Sequence, residues 1–222
     1  MSLSSNFEKI VGRIEESKQK LGLNQSVQII AVTKTHPFSF IKESYVLGIR
    51  SIGENRIQEA SEKFESFANM PNLTKRFIGH LQSNKINKCL DLFNTIDSVD
   101  SVNLAQKIDS KGKNIQILLE VNTSGEAQKH GFNPNDIEGM IEAANTQNIS
   151  VHGLMTVGPL TQNEKKIRES FALLRRIKEK INTQKSGNKL TELSMGMSGD
   201  FEVAIEEGST MVRVGSALFG NR

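Results

Sequence analysis

The chain has no tryptophan, one tyrosine, one cysteine and four prolines in 222 residues. A lone Cys89 rules out an intramolecular disulfide framework. Set between Lys88 and Leu90 in a helical pattern, it reads as a small hydrophobe. No apolar stretch reaches the roughly 18 residues of a membrane span, and the N-terminus shows no apolar signal core. These absences predict a cytoplasmic protein without membrane attachment. Charge of one sign is also scarce: 28 basic residues face 25 acidic ones, for a net +3. The charges are interspersed, which argues against a nucleic-acid partner. The four histidines, His36, His80, His130 and His152, are far apart and form no HxxH or HxxxH pair. Spacing therefore predicts no metal site. Neither GxxxxGK[ST] nor GxGxxG occurs, so those modes of nucleotide binding are unsupported.

What is present is alternation. An amphipathic stripe of Phe7, Ile10, Val11, Ile14 and Leu21 opens the chain as a helix. Strand patterns follow at 27–33, 50–53, 76–80, 94–98, 115–121, 151–157, 191–194 and 211–214. Between and after them, helices are predicted near 38–47, 55–68, 83–91, 101–110, 134–146, 163–183, 200–207 and 216–219. Pro134 is placed at a first helical position, Gly48, Gly112 and Gly208 just past helix ends, and Ser198-Gly199-Asp200 at a helix start. Strands separated by helices run parallel. Eight such units predict an α/β fold: one (β/α)8 TIM-type barrel with an extra N-terminal helix, as a single domain over 1–222.

In such a barrel, function gathers at the C-terminal ends of the strands. Lys34 ends the first, after Ile29-Ile30-Ala31-Val32-Thr33 and before Pro37. An amine against low-dielectric walls can become a neutral nucleophile and condense with an aldehyde, although a strand-end lysine is often merely solvated. Ser198-Gly199 and Gly215-Ser216 follow strands seven and eight, where glycine and exposed helix-start N–H groups can cradle a phosphate. They can equally be ordinary turns with serine caps. An aldehyde-seeking amine beside a phosphate site makes pyridoxal 5′-phosphate (PLP) the leading ligand. On residues alone, Arg213 could close the barrel against a carboxylate, Asn55 could cap a helix, and His80 could be a core histidine.

The segments AVTKTHP (31–37), IGENRIQEA (52–60), FIGHLQSNK (77–85), IDSVDS (96–101), GLMTV (153–157), LSMGMSGDFEVAI (193–205) and GSTMVRVGSALFG (208–220) span the chain in order. Together they resemble the pyridoxal phosphate homeostasis proteins, PLP-binding relatives of the alanine racemase N-terminal barrel. The resemblance implies PLP held as a Schiff base on Lys34. It also implies a phosphate clamp of Ser198, Gly215 and Ser216, Arg213 facing the pyridine nitrogen, Asn55 beside the cofactor, and Met197 and His80 nearby. Two departures are visible: Lys75-Arg76 stand where many relatives carry Trp-His, and Arg56 stands where tyrosine is frequent.

Arginine cannot accept a proton, so a pyridine nitrogen opposite it stays unprotonated and the ring is a poor electron sink. Racemisation needs a base on each face of the substrate carbon. In alanine racemase a tyrosine from a second domain serves one face; here Tyr45, the sole tyrosine, is expected in the first crossover helix, away from the rim. The expectation is a monomer that sequesters PLP and passes it to apo PLP-dependent enzymes, with little or no turnover. A PLP-dependent racemase or lyase is the main rival, and a cofactor-free Schiff-base aldolase the next.

Overall fold

A computed structural model describes residues 2–220. Helix α1 (Leu3–Lys20) precedes eight strands: β1 (Gln28–Val32), β2 (Ser51–Glu54), β3 (Thr74–Phe77), β4 (Thr95–Val99), β5 (Ile115–Glu120), β6 (Ile149–Met155), β7 (Glu192–Met197) and β8 (Met211–Val214). They alternate with α2 (Phe38–Val46), α3 (Ile57–Lys63), α4 (Ile86–Leu92), α5 (Val102–Asp109), α6 (Ile137–Ala144), α7 (Glu164–Gln184) and α8 (Phe201–Glu206), and α9 (Ser216–Phe219) follows β8. The strands pair in sequence order, all parallel, and β8 pairs with β1 to close the barrel. The expected (β/α)8 barrel with its additional N-terminal helix is the observed fold. Among the described residues, no helix is long and apolar enough to cross a membrane.

Strand side chains alternate between two environments. Outward residues such as Ile52, Phe77, Ile96, Ile117 and Leu154 are buried against the helices. Ile30, Leu118, Met155 and Met211 form a separate cluster. Their parity along the strands places that cluster inside the barrel. Below it lies a polar layer. Arg76 donates through Nε to Ser51 Oγ (2.8 Å), through Nη1 to both Asp97 oxygens (3.2 Å each) and through Nη2 to Gln28 Oε1 (3.2 Å). Helix α1 buries Ile10 and Ile14 against α8 and α9, and Asn6 donates to the Leu218 carbonyl at 3.0 Å.

Most predicted elements are found, with three instructive shifts. β3 covers 74–77 rather than 76–80, because the chain leaves the sheet where Gly79 packs on the Asn55 carbonyl; a Cβ there would sit 2.1 Å from that oxygen. Helix α3 stops at Lys63 instead of 68: Phe64 turns extended, and Phe64 and Phe67 pack edge-on at 5.1 Å. Pro134 does not open α6. Asp136 caps that helix, accepting from Gly139 N at 3.0 Å, so the helix begins at Ile137. Gly48, Gly112 and Gly208 do take left-handed conformations past helix ends, with φ of +95°, +65° and +94°. Cys89 is fully buried, and burial pushes its thiol up to about 12, as suits a packing residue.

Candidate functional site

At the C-terminal mouth of the barrel lies a cavity of about 760 Å³. That volume is in the range of small-molecule sites. Lys34, Asn55, Met197, Ser198, Arg213, Gly215 and Ser216 all line it. These seven of the residues singled out from sequence thus share one wall system, drawn from β7 and β8 and from the loops after β1, β2, β7 and β8. Gly199, named with Ser198 from the sequence, also lines it; Val32, His36, Ile78, Gly79, Val157 and Gly220 complete the lining and were not anticipated. Their signal was weak: apolar strand ends and glycines resemble ordinary core and turn residues. His36 stacks on Phe40 (centroids 4.8 Å apart) and leans on Phe219 (4.7 Å), forming an aromatic wall.

Lys34 lies two residues past β1, in the turn rather than on the strand end. That turn is anchored from outside the barrel. Thr33 Oγ1 donates to Glu54 Oε1 at 2.5 Å, and Lys63 Nζ donates to the Thr33 carbonyl at 2.8 Å. Lys63 also pairs with Glu54 (2.5 Å) and Glu59 (3.2 Å), while the Thr35 amide donates to Glu59. Thr35 itself is held at φ +64°. For a β-branched residue this is a costly conformation, on the order of 1–3 kcal/mol, that the surroundings must impose. Burial pushes the Glu54 carboxyl up, opposed by Lys63 and Thr33, and its Oε2 has no partner. Lys63→Met therefore strands a buried carboxylate beneath the Lys34 turn. Chemical denaturation is expected to show a loss of about 3 kcal/mol, partly recovered when Glu54→Gln is added. A loss under about 1 kcal/mol would mean that the network does not brace the turn.

Arg213 is fully buried on β8. Its Nη1 donates to the Ser194 carbonyl and Oγ, both at 2.8 Å, and its Nη2 to the Thr156 carbonyl at 2.7 Å. The alternative of a barrel-closing ion pair is not what holds it, since its hydrogen-bonded partners are carbonyls and a hydroxyl. Burial lowers its pKa, while the charges of Asp97, Glu120 and Asp200 act the other way. Burial likewise raises the carboxyls of Glu120 and Asp200, against the pull of Arg213.

Ser198 was expected to open α8. Instead its Oγ crosses to the loop after β8 and accepts from Gly215 N (3.2 Å) and Ala217 N (3.1 Å). Asp200 Oδ1 accepts from Met197 N at 2.6 Å, and no side chain caps α8. Two amides at the start of α9 are thus already turned toward an oxygen acceptor at the cavity edge. Gly196, at φ +93°, makes this turn possible, because a Cβ would lie 2.6 Å from Ala204 Cβ. Asn55 caps nothing: Arg56 occupies the N-cap of α3, without a side-chain bond. His80 is not a core histidine; its side chain is 44% exposed, and it stands outside the cavity beside Asp100.

The geometry can be set against known proteins. Residues 6–222 match the family model described as alanine racemase, N-terminal domain. The chain is 37% identical to the pyridoxal phosphate homeostasis protein of Aquifex aeolicus, over all of this chain and 99% of that one. PipY of Synechococcus elongatus, solved with PLP bound, is 35% identical with a TM-score of 0.86, covering 99% of this chain and all of PipY. An alanine racemase of Clostridium difficile superimposes with a TM-score of 0.78 at 18% identity, over 98% of this chain and 60% of the racemase. At that identity the likeness concerns the fold alone.

Proposed function

This chain belongs to the pyridoxal phosphate homeostasis proteins, built on the alanine racemase N-terminal domain, and from that footing we propose that it binds PLP reversibly in the cavity at the barrel mouth. The observation that carries the reading is convergence. An amine (Lys34), a buried donor-only cation (Arg213) and the paired Ser198 and Gly215-Ser216 loops face one cavity of adequate volume. The chain's own oxygen supports the fit, because the Ser198 hydroxyl sits on amides that a phosphate oxygen could also engage.

When bound, PLP supplies an aldehyde carbon that condenses with an amine, releasing water, and a pyridine ring that can withdraw electrons. Lys34 is the residue to form that Schiff base. Ser198, Gly215 and Ser216 would hold the phosphate, and Asn55 and Met197 would flank the ring. Arg213 would donate to the ring nitrogen; having no lone pair to offer, it leaves that nitrogen an acceptor and the ring a weak electron sink. Tyr45, the only tyrosine, donates to the Pro71 carbonyl near the N-terminal ends of β2 and β3, at the far end of the barrel. It is no candidate for a second base. We take 1–222 to act as one domain and as a cytoplasmic monomer, storing PLP and passing it to apo PLP-dependent enzymes.

The test is direct. PLP titration should produce a visible absorption band that borohydride abolishes, with the reduced label mapping to Lys34. The loaded protein should convert neither enantiomer of alanine or serine faster than free PLP does. Label on another lysine would overturn the site, whereas clear conversion would make the protein a racemase or lyase.

A further inference from the structure

Three side chains outside the cavity make a second convergence. His80 follows β3, Asp100 follows β4, and His130 closes the excursion after β5. One ring nitrogen of each histidine and an Asp100 carboxylate oxygen lie within 4.8 Å of one another. Nδ1 of His80 is 3.2 Å from Asp100 Oδ2, and Nδ1 of His130 is 3.9 Å from the same oxygen. The rings stack with centroids 3.8 Å apart and planes 12° from parallel.

Close-packed glycines set the backbone next to each histidine. His80 follows Gly79, whose missing Cβ admits the Asn55 carbonyl. His130 precedes Gly131, held at φ +123°, where a Cβ would meet Asn122 N at 2.6 Å. The bridge between Val121 and Phe132 ties the excursion back to the rim. Ser101 donates to Asp100 Oδ1 at 3.2 Å, so Oδ2 is the oxygen that faces the rings.

We propose that His80, Asp100 and His130 form a binding site for one divalent transition-metal ion, with Zn²⁺ as its type. Two imidazole nitrogens, borderline donors, make the set suit zinc, cobalt, nickel or copper rather than magnesium or calcium, and the carboxylate is a common third ligand for zinc. Zinc binds nitrogen at about 2.0–2.1 Å and carboxylate oxygen at about 2.0–2.2 Å, which at tetrahedral angles sets ligand atoms roughly 3.3 Å apart. The His80–Asp100 pair already has that spacing. The rings are stacked nearly parallel, so His130, whose side chain is 56% exposed, must swing out of the stack for both nitrogens to aim at one ion. Three protein ligands leave a fourth position to water, as in open rather than structural zinc sites. The sequence concealed this group because its members lie in the segments after three successive strands, not on one helix face. The site is separate from the PLP reading and stands or falls without it.

The test is Zn²⁺ titration by calorimetry on PLP-free protein carrying no polyhistidine tag, with Co²⁺ absorption as a second readout. One ion per chain is expected. His80→Ala, His130→Ala and Asp100→Asn should each weaken binding by at least about 100-fold, since even loss of an outer-shell partner costs 10–100-fold. Each should also remove the Co²⁺ ligand-field bands. His152→Ala should change neither. All three ligands are partly exposed, so circular dichroism should confirm that the variants fold. Absence of stoichiometric uptake, or equal affinity in the His80→Ala/His130→Ala double variant, overturns the site and leaves a simple polar contact beside a stacked ring.

Discussion

Replacing Lys34 with alanine is expected to abolish both the visible band of PLP-loaded protein and any borohydride-fixed label. The half-buried lysine lines the cavity from a braced turn, and among the described residues no other lysine lines it. The Ser198 and Gly215-Ser216 loops and Arg213 remain in the variant, so weak noncovalent binding should persist. Loss of the covalent link should cost at least about 100-fold in affinity, near 2.7 kcal/mol. Equilibrium dialysis gives the affinity and reduction followed by peptide mapping gives the attachment. A Lys34→Ala protein that still acquires reducible label at full stoichiometry would refute the assignment. Lys34 packs in no apolar cluster, so the thermal midpoint of the unloaded protein should change little.

The largest loss of stability should come from the opposite end of the barrel. Arg76 and Asp97 face each other in the interior, with side chains 8% and 0% exposed. Arg76→Met removes the guanidinium and leaves the Asp97 carboxylate with only Thr95 Oγ1 (2.9 Å) among its side-chain donors. Breaking a buried pair in this way costs about 3–5 kcal/mol, a large part of the ~5–15 kcal/mol that holds a domain. Urea denaturation should show that loss. Arg76→Met/Asp97→Asn should recover much of it, since the cost comes from the unpaired charge more than from the missing contact. If the single variant unfolds at the wild-type midpoint, the interior layer carries no such energy.

These two positions show how unevenly the sequence discloses the molecule. Lys34, Ser198, Arg213 and Gly215-Ser216 were legible because each ends a strand pattern, and a barrel collects strand ends at one mouth. The register of eight alternating units was legible for the same local reason. Arg76 was visible only as the first residue of a predicted strand; that it meets Asp97 inside the barrel depends on the pairing of β3 with β4, which no local pattern discloses. The bracing of Lys34 by Glu54, Glu59 and Lys63 needs α3 to lie against the first turn, which no spacing reveals. The start of α6 was misjudged because Asp136 is a better cap than Pro134 is a first residue, and capping decides helix starts. The His80–Asp100–His130 group joins residues 20 and 30 positions apart, beyond any local pattern.

The pairing of β8 with β1 has a consequence for the life of the protein in a crowded solution. A sheet with no first or last strand offers no row of free amides and carbonyls for a stranger to zip onto. Neighbours can touch this chain only through helices and loops. Such a chain can be kept abundant without seeding fibres.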